Sequence, residues 1–261
     1  MWMAALLLGA LGVDKEDLVS KLLVVEEHHG SDANFVLTSL MIQRLQKDGG
    51  VCLMTLHNTI SHYQNVVMKM SGCNLLLLQG KGFVQTFDCL KELSAGLMND
   101  AGNHFLLNHK ECVAKTMFLM LKEKVELLCA KRSSVCIVID DLSDLLAIGV
   151  PLSDVLSFFH YCRTLLLSLP ELSLIVLSHV VEEDEQQSLL AAGLAHVADV
   201  FVTVSALKTG HSSDVSGVLK VRHKNTESVS SQSWNQQNSF QYKLQDRQVK
   251  VFAPGTAPSL Q

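Results

Sequence analysis

The stretch Val135–Asp141, VCIVIDD, constrains the fold more than any other part of the chain. Five apolar residues run without alternation into two aspartates. A segment apolar at every position fits a strand covered on both faces, as in a parallel sheet flanked by helices. Carboxylates at the C-terminal end of such a strand lie where open α/β sheets gather their ligands. In a phosphate-loop nucleotidase an aspartate at this place holds magnesium. That role for Asp140 depends on a phosphate-binding partner elsewhere in the chain.

Lys21–Glu27, KLLVVEE, reads as the first buried strand and His28–Asp32 as a turn. From Ala33 to Lys47 the apolar residues Phe35, Val36, Leu40, Met41 and Leu45 recur at helical spacing. Asp48-Gly49-Gly50 ends that helix and releases a second strand, Val51–Leu56, completing a βαβ unit. A nucleotide loop after the first strand needs GxxxxGK[ST]: glycines whose backbone N–H groups wrap the phosphates, a lysine for charge and a hydroxyl for magnesium. The chain offers EEHHGSDANFVL instead, with one glycine and no lysine. Its carboxylates oppose a bound phosphate. A normal phosphate loop is absent. Glu27, His28, His29, Gly30 and Asp140 are left as the positions of a degenerate nucleotide site, with no cofactor, no metal and no catalytic residue assigned.

The same residues have plainer uses. Asp140 and Asp141 read as caps of the following helix or as interface residues. His28 and His29 form a loop pair without further ligands in reach of a spacing argument. Ser178-His179 with Asp140 does not make a hydrolase, because no G-x-S-x-G elbow is present. Glu182–Glu185 is a solvated helix start favoured by the helix dipole.

The remaining pattern continues the α/β rhythm. His57–Met70 reads as a helix, Asn74–Leu78 (NLLLL) as a third strand and Phe83–Leu93 as a short amphipathic helix. Ser94–Asn108 is loop-like, and a long helix runs from about Lys110 to Ala130. After VCIVIDD come a short helix at Leu142–Ile148, a helix at Leu152–Leu167 opened by Pro151, and a strand at Leu172–Ser178. A helix to Leu194 and a strand at Val197–Leu207 follow. Beyond them Val215–Arg222, Phe240–Leu244 and Gln248–Phe252 are strand-like and half-buried, the last two joined tightly through Gln245-Asp246-Arg247. The polar Ser228–Ser239 is a loop. This order predicts an α/β, RecA-like three-layer sandwich with a mostly parallel central sheet and an antiparallel C-terminal extension. It forms one domain, 20–261, behind an N-terminal arm, 1–19.

Composition narrows the setting. Only 18% of the 261 residues are charged, below the roughly 25% usual for soluble domains. Either part of the surface is covered by a partner or the core is large. Seven cysteines are scattered with no CxxC pair, as in reduced, mostly buried intracellular thiols. The apolar N-terminus lacks the basic region of a signal peptide and reads as a helix or packing arm. No run reaches the ~18 apolar residues of a membrane span. The net charge of −5 argues against a generally basic nucleic-acid binder. Yet from Leu207 to Lys250 seven basic residues face three acidic ones. Lys208, Lys220, Arg222 and Lys224 are therefore candidates for contact with an RNA phosphate backbone. The alternative is a sheet edge kept soluble by lysines.

Three stretches carry a resemblance: Asp140–Arg163 (DDLSDLLAIGVPLSDVLSFFHYCR), Ser178–Glu185, and Phe240–Leu260 (FQYKLQDRQVKVFAPGTAPSL). Together they resemble the sixth-subunit family of the Elongator complex. The likeness spans the chain from the first strand onward and is strongest after Asp140. It implies a RecA-like subunit without a Walker A motif, joined with the fourth and fifth subunits in a hetero-hexameric ring. Such a ring attaches to the catalytic Elongator subcomplex and supports tRNA binding and wobble-uridine modification. The resemblance further implies a cytoplasmic protein, with the nucleus as a second compartment, and carries over no catalytic residue. The alternative function is an ATPase that uses the degenerate site or a composite ring interface.

Overall fold

The computed structural model describes residues 5–13, 18–89, 91–92, 113–181, 183–207, 210, 212, 214–224 and 237–253. In chain order the elements are α1 (Ala5–Ala10), β1 (Leu22–His28), α2 (Asn34–Gln46), β2 (Gly50–Thr55), α3 (Ile60–Ser71), α4 (Leu75–Gly80), β3 (Val84–Asp88) and α5 (Val113–Cys129). They continue with β4 (Val135–Asp140), α6 (Asp144–Ala147), α7 (Leu152–Ser168), β5 (Leu172–Val180), α8 (Glu185–Val197), β6 (Val200–Ser205), β7 (Gly217–His223), β8 (Asn238–Gln245) and β9 (Gln248–Phe252).

The strands make one sheet in the order β3-β2-β4-β5-β1-β6-β7-β8-β9. Pairing is parallel from β3 through β6 and antiparallel from β6 to β9. This is the expected three-layer sandwich with an antiparallel extension. The uninterrupted apolar run of β4 has its explanation in the alternation of strand side chains. Val135, Ile137 and Ile139 enter one core with α5, α7 and α8. Cys136 and Val138 enter the other with α1 to α4. All six residues of β4 are buried, as are all six of β2.

The second core reaches past the parallel strands. Leu219 and Val221 of β7, Tyr242 of β8, and Val249 and Val251 of β9 join it together with Leu7 and Leu11 at the N-terminus. Gly217 is the pivot of this extension: a Cβ there would collide with the Ser205 carbonyl and lie 2.7 Å from the Tyr242 hydroxyl.

Two sequence readings are corrected here. Asn74–Leu78 is not a strand: Asn74 caps α4 by accepting the Leu77 N–H at 3.1 Å. Leu75 is buried while Leu76 and Leu77 stand 59% and 64% exposed. Four leucines in a row fit either element by hydropathy, and the cap decides. The third strand is instead β3, inside the segment read as a helix from Phe83 to Leu93; it pairs in parallel with β2. The loop-like 94–108 segment lies outside the described residues.

Candidate functional site

The C-terminal ends of β1, β4 and β5 meet at the edge where α/β sheets hold ligands. At the exit of β1, only the five residues 29–33 separate the strand from α2. The loop closes on itself. Gly30, at φ +79°, turns the chain so that the Ser31 N–H reaches the His28 carbonyl at 3.1 Å. Ser31 Oγ lies 2.6 Å from the same carbonyl and 3.1 Å from that of Val204 on β6.

The start of α2 is where a phosphate would find free N–H groups. Here the protein's own carboxylates take them. Glu27 Oε2 accepts the Ala33 N–H at 2.6 Å and Asp32 Oδ1 accepts the Asn34 N–H at 2.9 Å. Burial raises the Glu27 carboxyl above its ordinary value; the Ala33 N–H opposes this and Asp32 adds to it. His28 turns aside to pair with Glu26 at 2.8 Å, and His29 packs edge-on against His179.

Asp140 ends β4, with β5 lying between it and β1. It does not cap the next helix. Its Oδ2 accepts the Asn58 N–H at 2.8 Å, tying the β2–α3 turn to the sheet. Its Oδ1 is buried and without a hydrogen-bond partner among the described residues. Burial pushes Asp140 up to about 6; the Asn58 N–H and the neighbouring Tyr63 hydroxyl oppose the shift, and Asp141 adds to it.

Asp141 is the residue that secures the turn. It adopts φ +48°, and its Oδ1 accepts from the Ser143 N–H (3.1 Å), the Ser143 hydroxyl (2.5 Å) and the His179 N–H (3.1 Å). His179 Nδ1 in turn lies 3.3 Å from Glu27 Oε1, so one histidine on β5 links the β1 and β4 exits. His57 Nδ1 meets Asp144 Oδ2 at 2.9 Å. Burial lowers the His57 pKa, but the Asp144 carboxylate, with Asp141 and Asp140, more than offsets this and raises it. Asp144 is raised by burial and by Asp141.

The basic candidates sit elsewhere. Lys220 and Arg222 alternate with the buried Leu219 and Val221 on β7, and Lys224 follows two residues on. Their face of the sheet is opposite the core that Leu219 and Val221 enter. The Arg222 guanidinium lies 4.6 Å over the Phe201 ring of β6. Lys220 pairs in register with Ser239, and Val218 with Gln241. Lys243 pairs with Lys250 across β8 and β9, and the alternation puts both lysines on the face of Lys220 and Arg222. Lys208 lies outside the described residues.

A family model described as Elongation complex protein 6 matches residues 7–246. The chain belongs to that family. It is 27% identical over 239 residues to Elongator complex protein 6 of Xenopus tropicalis, covering 88% of this chain and 89% of that one. The Homo sapiens protein of the same name is 28% identical over 239 residues, with the same coverage. That of Drosophila melanogaster is 28% identical over 256 residues, covering 97% and 98%. Among solved structures, a KaiC-like protein from Pyrococcus horikoshii OT3 superposes with a TM-score of 0.60 over 89% of each chain at 8% identity, which shows the RecA-like fold alone.

Within this Elongation complex protein 6 framework, sequence reasoning missed His57, Asp144 and the bridging role of His179. Ser178-His179 does stand out as a polar end to an apolar strand. His57 and Asp144 are 87 residues apart, and nothing in spacing connects them. They meet only because β2 and β4 are neighbours in the sheet.

Proposed function

We propose that the chain is a non-catalytic subunit of Elongator that forms a hetero-hexameric RecA-like ring with the fourth and fifth subunits, supporting tRNA binding and wobble-uridine modification. The observation that carries this reading is the β1 exit. In a chain of the Elongation complex protein 6 family, two N–H groups at the start of α2, those of Ala33 and Asn34, are taken by Glu27 and Asp32, and no lysine stands in the loop. A nucleotide phosphate would have to displace two carboxylates and bring its own charge into their place. Partner chains account for the low charged content and for exposed leucines such as Leu76, Leu77 and Leu167. The stripe of Lys220, Arg222, Lys243 and Lys250 supplies the charge for an RNA backbone, with Lys224 extending it and Lys208 a further candidate from the sequence. The protein works in the cytoplasm, with the nucleus as a second compartment.

The test is co-purification with the fourth and fifth subunits, followed by tRNA binding to the assembled ring. Charge reversal at Lys220, Arg222 and Lys224 lowers affinity about tenfold or more and flattens its salt dependence. Unchanged affinity removes the basic stripe from the proposal. Calorimetric titration of the chain with Mg-ATP gives no binding; micromolar binding abolished by Asp140→Asn restores the ATPase alternative.

A further inference from the structure

The exit of β4 gathers three carboxylates around one ionisable base, His57. Asp140 and Asp141 are 1% and 5% exposed, and Asp144 begins the adjoining helix α6. Among the described residues, no lysine or arginine forms an ion pair with any of the three; the charged partner found is His57, at Asp144. Buried carboxylates without a counter-charge are costly, and such clusters are ordinarily neutralised by protons or by a cation.

Three of these groups also have the geometry of a ligand set. One atom from each of His57, Asp141 and Asp144 lies within 4.8 Å of the others. They come from three separate segments: the β2–α3 turn, the end of β4 and the first turn of α6. Asp141 Oδ1 is held by three donors from Ser143 and His179. Fixing one oxygen sets the orientation of the other, as outer partners do around metal-binding carboxylates. Asp140 adds an independent sign. Its Oδ2 is bound to the Asn58 N–H, which places the carboxylate against the His57–Asn58 turn, while its Oδ1 is buried beside the Tyr63 hydroxyl, which itself donates to Asn34 Oδ1 at 3.0 Å.

We propose that His57, Asp141 and Asp144 bind a divalent transition-metal ion of the zinc type through one imidazole nitrogen and two carboxylate oxygens. Asp140 supplies a further buried negative charge behind them. An imidazole in the set favours zinc-type ions over magnesium, which takes oxygen ligands. The side chain of His57 is 58% exposed, so the site is open to solvent and water completes the coordination. The ion neutralises the β4 exit and clamps the β2–α3 turn, β4 and α6 to one another. No chemistry on a substrate is assigned to it. The proposal does not depend on ring assembly or on tRNA contact.

The test is titration of the purified full-length chain with Zn²⁺ by calorimetry, and with Co²⁺ followed by its visible absorption. One ion per chain is expected, with a Co²⁺ spectrum free of sulfur-to-metal charge transfer and no competition from equimolar Mg²⁺. His57→Asn and Asp144→Asn each weaken binding at least about tenfold. His62→Asn, which changes an exposed histidine on the neighbouring α3, leaves it unchanged. Both ligand variants are checked for native thermal unfolding without metal, so that lost binding is not lost folding. Absence of binding overturns the assignment. So do binding that survives both ligand variants, a thiolate charge-transfer band that reports cysteine ligation, and equal affinity for Mg²⁺.

Discussion

The exits of β1 and β4 stand on the same edge of the sheet, yet they have been settled in opposite ways. At β1, donors and acceptors are matched: Glu27 and Asp32 cover the start of α2, and Ser31 seals the loop against His28 and Val204. At β4 the polar groups are less completely matched: Asp140 Oδ1 and the hydroxyls of Thr55 and Ser178 on the flanking strands are buried without a hydrogen bond among the described residues. A phosphate site needs surplus N–H groups and positive charge at the first place, and a metal-binding carboxylate at the second. The half that would contact the phosphates is closed by the protein's own side chains, while the acidic half keeps unspent capacity. On the proposed reading, a chain that does not bind nucleotide need not have lost both halves. One closed loop is enough, and the other half is free for a different use.

The sharpest way to break this contrast is at Asp141. Its Oδ1 gathers three donors in a buried setting and its backbone sits at φ +48°. Asp141→Ala removes the acceptor and places a β-carbon residue without a local hydrogen bond in the left-handed region. Buried groups left unpaired cost about 1–3 kcal/mol each, so with three donors released the loss is about 3 kcal/mol at the least. Asp141→Asn retains an acceptor oxygen and tolerates that backbone region, so it costs clearly less. Urea unfolding of both variants reads the difference; equal losses would show that the hydrogen bonds are not what holds the turn.

A smaller effect is expected at β1. Glu27→Ala or Asp32→Ala uncovers one N–H at the start of α2 and costs about 1 kcal/mol, as for loss of a helix cap. The double variant opens both N–H groups and should acquire weak binding of inorganic phosphate that the native chain lacks, as read by calorimetry. Phosphate binding to the native chain at the same strength would mean that the carboxylates do not close the site.

What could be read in advance follows the same division. The missing lysine, the single glycine and the crowding of carboxylates after β1 are local facts, and they are visible in EEHHGSDANFVL. The covered strand VCIVIDD is equally local, because burial on both faces leaves an apolar residue at every position. The layout around Asp140 is not local. Its partner Asn58 lies 82 residues away, and His179, which joins Asp141 to Glu27, sits on a third strand. Sheet order creates these contacts, and a helix cap is the nearest guess that chain neighbours alone permit. The exchange of strand and helix around Asn74–Asp88 has a different source. NLLLL carries no periodicity, and the decisive information is one asparagine side chain accepting a backbone N–H three residues on.

The smallest effect separates the two exits by proton binding. Burial raises the Glu27 carboxyl above its ordinary value, Asp32 adds to the shift, and the Ala33 N–H and His179 counteract part of it. A carboxyl whose pKa is higher in the folded chain than in the unfolded chain binds its proton more tightly when folded. Its contribution to stability is therefore fully present below the unfolded pKa and is lost as pH rises through the folded one. Glu27→Gln keeps an acceptor for the Ala33 N–H but cannot ionise, so it removes this contribution from the pH profile. Across the acidic range, the difference in unfolding free energy between Glu27→Gln and the native chain should move in favour of the variant as pH rises, then level off. The comparison is made in metal-free buffer, so that occupancy at His57, Asp141 and Asp144 does not enter. A difference independent of pH would mean that Glu27 is not desolvated when it caps α2, and that the β1 exit is closed by hydrogen bonding alone.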